Sequence, residues 1–221
     1  FSLPTLISLS VALAFMFFLA TRFDLDWGKT WDNVLHLNPW QYLTALALHY
    51  LSFVFRGLRW RLLAANAGIH DSPGATLPSA LSFSHLIVIG WFVNSVAPLR
   101  LGDAYRAYAF SEVSGAGFSW SLGTILTERA LDMLTVLMLI AVGIGWYSLT
   151  QDSSGTGRIL LAALVMGVAL GGVLAVMKGY GARLARLLPA RLEAAYSRFQ
   201  EGALGSLKRL PALFSLGLVG W

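Results

Sequence analysis

Six ionisable side chains stand where an apolar chain has least use for them. Arg100, Asp103 and Arg106 fall within the stretch W-F-V-N-S-V-A-P-L-R-L-G-D-A-Y-R, from Trp91 to Arg106, and Glu128, Arg129 and Asp132 follow in T-E-R-A-L-D. On a helix Glu128 and Asp132 are i,i+4 neighbours on one face, and Arg129 lies three residues before Asp132. A charge at the centre of a bilayer costs about 2.5–3.5 kcal/mol on insertion scales, so such a set needs partners. Three arginines against three acids could form a neutral network that only holds the segment in place. They could equally line a polar cavity within the membrane that accepts a charged headgroup. Arg100 and the amide-rich start of a helix at Gly102 suit an anion. Asp103, Glu128 and Asp132 suit a cation, and Asn94 could donate from the opposite arm. His85 is a candidate for the same cavity, although a lone histidine is more often a bystander.

The rest of the chain makes the membrane setting hard to avoid. Of 221 residues, 57% are hydrophobic and 12% charged, with a mean hydropathy of +0.66, against about 25% charged residues in soluble domains. The sequence therefore predicts an all-α, polytopic transmembrane bundle. The net charge of +5 sits at span ends, which argues against nucleic acid as a partner and for a lipid bilayer. The absence of cysteine excludes disulfides and thiolate metal sites. Histidines 36, 49, 70 and 85 have no ligand spacing, so neither a metal nor a cofactor is expected. There is no nucleotide-binding loop and no nucleophile–base pair, hence no enzyme signature within this chain. A homo-oligomer is compatible with everything in the sequence.

Apolar runs place spans at about 2–20, 39–62, 118–149 and 159–177, with a further one starting at 210. Between the first two, Trp27, Trp31, Val34 and Leu35 recur at helical spacing. This suits a short helix at the interface, or a loop with apolar anchors. The basic segment 178–209 carries Leu192, Ala195, Tyr196 and Phe199 on one helical face after Pro189, the pattern of an amphipathic helix on an anionic leaflet. Gly167 and Gly171 could admit a neighbouring helix or pair by chance. Phe1 is not an initiator methionine, and the last apolar run is shorter than the roughly 20 residues a span requires. The expectation is one membrane domain over 1–221, cut before its C-terminal helices.

Parity then constrains the charged stretch. The positive-inside rule puts Arg56 to Arg61 and residues 178–209 in the cytoplasm, and residues 22–38 and 151–157 outside. The chain between Asn66 and Gly117 must leave the cytoplasm and return to it. Residues 102–113 are too few and too polar to cross. The segment at about 78–113 is therefore expected to be a re-entrant helical hairpin turning at 94–102. Non-helical backbone is tolerated at such depth only against protein or a wet cavity.

The run N-S-V-A-P-L-R-L-G-D-A-Y-R-A-Y (94–108), followed by T-E-R-A-L-D (127–132), resembles the lysylphosphatidylglycerol synthetase transmembrane family of flippase-like proteins. R-G-L-R-W, from Arg56 to Trp60, is similar to a motif of the same family. The resemblance covers most of the chain. The positions that carry it are Asn94, Pro98, Arg100, Gly102, Asp103, Arg106, Glu128, Arg129 and Asp132. It implies a multi-pass domain of the bacterial inner membrane that moves a phospholipid, such as aminoacylated phosphatidylglycerol, between leaflets. Under that resemblance Asn94, Arg100, Asp103, Arg106, Glu128, Arg129 and Asp132 contact the lipid, while Pro98 and Gly102 shape the turn. It also implies an alternative, the membrane part of a lipid-modifying transferase whose soluble domain lies elsewhere. The hairpin has a direct test. A cysteine at position 100 (Arg100→Cys) should resist a membrane-impermeant thiol reagent supplied only from outside, and ready labelling from that side alone would make the turn an ordinary external loop.

Overall fold

A computed structural model describes residues 3–22, 26–71, 74–97, 101–150 and 156–220. Among them all regular structure is helical: α1 (Leu3–Arg22), α2 (Trp27–Leu35), α3 (Pro39–Asn66), α4 (Ala80–Val96), α5 (Gly102–Ser114), α6 (Phe118–Thr150), α7 (Thr156–Arg186), α8 (Ala190–Gly205) and α9 (Leu210–Gly220), with one 3-10 turn at Ile69–Asp71. The chain divides into two compact units, Phe1–Leu48 and His49–Trp221. In the first, the Asp26 side chain caps α2 by accepting from the Lys29 amide at 3.0 Å, as N-cap aspartates do. Trp27, Trp31, Val34 and Leu35 form an exposed stripe.

The second unit holds the charged stretch. Among the described residues, two helices are long and apolar enough to cross a membrane, over Phe118–Ser148 and Gly157–Arg186. The segment between α3 and α6 folds back on itself. The α4 and α5 helices run antiparallel: the Asn94 side chain reaches Gly102 at one end, Phe83 meets Phe110 with ring centroids 5.0 Å apart, and the Thr76 amide donates to Ser114 at 2.8 Å at the other. Gly115 ends α5 in the left-handed region at φ 74°, a conformation glycine adopts without strain. With 17 and 13 residues, the arms are about 25 and 20 Å long, short of the roughly 30 Å of a hydrocarbon core. The two helices of the expected hairpin thus pack antiparallel, and Pro98 and Arg100, between them in sequence, lie outside the described residues.

Two boundaries differ from the sequence expectation. The α3 helix contains Arg56, Arg59 and Arg61 and continues past the expected end near 62 to Asn66. Likewise α7 runs on to Arg186, taking Lys178 and Arg183 into the helix. Hydropathy falls at the first arginine, but the helix does not stop there, because arginine is a good helix former.

Aromatic rings fill the core, where Trp60 packs on Phe83 and Phe110 at 4.9 and 5.1 Å. The α8 helix packs on α6 and α7. A Cβ on Gly202 would strike the Trp120 carbonyl, and one on Gly123 would lie 2.8 Å from the Ala203 nitrogen. Thr127 donates to the Ala203 carbonyl at 2.8 Å. The apolar stripe read from α8 is accordingly divided: Leu192 is exposed, while Tyr196 and Phe199 are half-buried. Gly202→Ala should cost about 1–3 kcal/mol of stability by overpacking. Gly171→Ala in α7, which has open space around it, should be neutral or mildly stabilising. Thermal unfolding of the detergent-solubilised protein compares the two.

Candidate functional site

The R-G-L-R-W run on α3 brings three of its residues to the hairpin and α6. Gly57 faces α4 so closely that a Cβ would lie 2.8 Å from the Ser84 amide. One turn on, Trp60 is fully buried and donates from Nε1 to the Thr124 hydroxyl at 3.1 Å. The Arg106 guanidinium lies over its ring, 4.3 Å from the centroid, close enough for a cation–π contact. Between them, Arg59 points into α6. It is ion-paired with Asp132 and lies 3.8 Å from a Glu128 oxygen.

From Arg59 the charges alternate around a closed ring. Arg106 Nη2 donates to Glu128 Oε2 at 2.6 Å, and its Nη1 makes a longer contact with Asp103 Oδ1 at 3.4 Å. Arg129 grips Asp103 with two parallel bonds, Nε to Oδ2 at 3.0 Å and Nη2 to Oδ1 at 2.7 Å. Its Nη1 reaches back to Asp132 Oδ2 at 3.5 Å. The order is Arg59, Glu128, Arg106, Asp103, Arg129, Asp132 and back to Arg59, contributed by α3, α5 and α6. The two-pronged Arg–carboxylate geometry at Asp103 is the strong, directional form of such a bond.

Burial is unequal around the ring. The side chains of Arg59, Glu128 and Arg106 are 2%, 3% and 1% exposed, whereas Asp103 and Arg129 are 37% and 32% exposed. The open edge faces a cavity of about 630 Å³, lined by Trp91, Asn94, Ser95, Met133 and the Asp103–Arg129 pair. Backbone clearance permits this layout. A Cβ on Gly90 would lie 2.5 Å from Arg106 Cγ and Cδ, and one on Gly217 of α9 would lie 3.0 Å from Arg59 Nη1.

The structure brings Asp103, Arg106, Glu128, Arg129 and Asp132 together. Gly102 packs against α4 so closely that a Cβ there would strike the Gly90 carbonyl. Asn94 lines the cavity, but its side-chain oxygen accepts from the Gly102 amide at 2.7 Å. It thereby engages the first amide of α5, at the terminus read from the sequence as an anion site. His85 is exposed and absent from the cavity lining. Arg100 and Pro98 fall outside the described residues. Sequence reasoning missed Arg59 and Trp60, which were read only as a span-end charge and a motif residue. The available signal was a second arginine one helical turn after Arg56, followed directly by tryptophan, in a helix otherwise apolar.

The ring's uneven burial sets the expected cost of breaking it. Glu128→Gln removes a carboxylate from two buried guanidinium groups, and unpairing a buried charge costs roughly 3–5 kcal/mol. Asp103→Asn at the open edge should cost no more than about 1 kcal/mol. Thermal melts of the two variants in detergent check the difference, and equal destabilisation would mean that the edge is as integral as the interior.

With this geometry, the chain is similar to membrane proteins of archaea. A UPF0104 membrane protein of Methanothermobacter thermautotrophicus is 25% identical over 205 residues, covering 90% of this chain and 56% of that protein. Another, from Methanocaldococcus jannaschii, is 28% identical over 138 residues, 59% of this chain and 56% of its own length. The glycosyltransferase AglD of Haloferax volcanii is 27% identical over 105 residues, which cover 48% of this chain and 16% of AglD. This chain spans about half the length of the first curated relatives it matches. No solved structure matches it significantly. The model of the lysylphosphatidylglycerol synthase transmembrane region matches residues 5–221, and the chain belongs to that family of membrane domains.

Proposed function

We propose that this domain carries a phospholipid headgroup across the membrane, with the Asp103–Arg129 edge of the charge ring as its point of contact. The observation that carries the reading is the partial exposure of that one pair onto a polar cavity. The hairpin of α4 and α5 then dips into the bilayer from the cytoplasmic side and holds the cavity at depth. A headgroup with an anion and a cation can exchange with the pair. Its phosphate takes the place of Asp103 on Arg129, and its ammonium takes the place of Arg129 on Asp103. Each protein charge stays compensated throughout, so the low dielectric is not penalised by an unpaired group. The buried arc through Glu128, Arg106 and Arg59 stays fixed and keeps the edge in register. Arg100, between α4 and α5 in sequence, supplies a further cation for the phosphate.

Aminoacylated phosphatidylglycerol carries a phosphate and at least one ammonium, and it is the substrate this reading favours. In a bacterium the site of action is the inner membrane. A second reading, the membrane part of a lipid-linked glycosyl transferase, draws on the similarity to AglD.

The test is leaflet exchange in vesicles reconstituted with the full-length protein and a fluorescent aminoacyl-phosphatidylglycerol. Charge-assisted hydrogen bonds are worth about 1.5–3 kcal/mol, so Arg129→Gln should slow exchange roughly tenfold to a hundredfold. An Arg129→Gln protein that folds and exchanges lipid at the unaltered rate would sink the proposal.

A further inference from the structure

Beside the polar cavity lies a second, apolar one. The cleft between α6 and α7 has a volume of about 550 Å³, within the range of small-molecule sites. It is walled by Val136, Leu137 and Ile140 of α6 and by Met166, Leu170 and Val173 of α7. At one end it is lined by Arg129 and Asp132. Arg129 and Met133 line both cavities, so the two are adjacent. A polar cavity bearing an ion pair, beside an apolar cleft, matches a molecule with a charged head and a hydrocarbon tail. The two helices that form the cleft are also the ones long and apolar enough to cross a membrane.

We infer that the α6–α7 cleft holds an acyl chain of the same lipid whose headgroup meets Asp103 and Arg129. This rests on the headgroup reading above and adds to it a defined seat for the tail, which would otherwise remain in bulk lipid. Arg129 is the hinge of the arrangement, binding the headgroup on one side and closing the mouth of the cleft on the other. Chain length and unsaturation become determinants of substrate choice, and Ala169, which also lines the cleft, is a position from which to block it.

The test uses two lipids with the same photoreactive group midway along one acyl chain, an anionic phosphatidylglycerol and a zwitterionic phosphatidylethanolamine. Each is incorporated separately into phosphatidylcholine vesicles bearing the full-length protein. After irradiation, adducts are mapped by mass spectrometry. At least one lipid should label Ile140, Met166 or Leu170 in a saturable manner, and its unlabelled counterpart should reduce the yield several-fold. Labelling at the exposed Leu164 should rise in proportion to the lipid and resist competition. Ala169→Phe should abolish the saturable component while circular dichroism and the melting temperature stay unchanged, and the milder Ala169→Leu should reduce it if the phenylalanine variant fails to fold. The inference is overturned if cleft labelling rises like that at Leu164, if neither lipid labels the cleft, or if well-folded Ala169 variants label normally. Leaflet exchange is read separately. Saturable labelling without exchange upholds the seat and removes translocation, whereas Arg129-dependent exchange without saturable labelling does the reverse.

Discussion

A guanidinium or carboxylate removed from water must find an opposite charge or raise the energy of the fold by several kcal/mol. That requirement governs this structure. Arg59, Arg106 and Glu128 are almost wholly buried, and each is compensated by side chains from a different helix. Apolar packing between helices in lipid is weak and non-directional, because lipid tails are as apolar as leucine. Directional ion pairs are therefore well suited to set the register of α3, α5 and α6. The alternation of sign around the ring means that no member has a like-charged nearest neighbour, and the removal of any one leaves two others exposed to the low dielectric.

The small residues follow from the ring. An arginine can cross between helices only where the opposing backbone carries no Cβ, which accounts for Gly90 opposite Arg106 and Gly217 opposite Arg59. Gly57 and Gly102 do the same for the approach of α3 to α4 and of α4 to α5. Trp60 lies under Arg106 because its ring offers a cation a face without demanding a second hydrogen-bond acceptor. The motifs that mark this chain as a member of its family are thus largely the residues needed to seat buried arginines between close-packed helices.

The helical class, the antiparallel hairpin and five of the six ring residues were legible in the sequence, because charge in an apolar run is conspicuous and helix periodicity fixes which charges share a face. Arg59 was not, since an arginine near the end of an apolar run is ordinarily a cytoplasmic anchor, and only the arrival of Asp132 from a helix distant in sequence reveals its use. The cap on α5 was equally hidden. Asn94 has both a donor and an acceptor, and which one the fold consumes depends on the approach of Gly102 across the turn. The packing of α8 escaped because periodicity identifies an apolar face without saying whether lipid or protein covers it, and here Gly123 of α6 and Gly202 of α8 let the two helices approach closely.

The neutral-network and headgroup-site readings of the charges need not compete. The ring closes with Arg59, so three acids are balanced by three arginines without any contribution from Arg100. Compensation by the buried arc explains why the fold holds, and it leaves the Asp103–Arg129 edge under a different constraint. Being about one-third exposed, that pair loses less by separating than any buried pair would, and in the proposed function a dipolar group entering the cavity replaces both partners at once. Under the proposed function, structure and exchange divide along a single ring by depth: the alternation of charge that locks the interior would let the rim trade one partner for another without passing through an unpaired state.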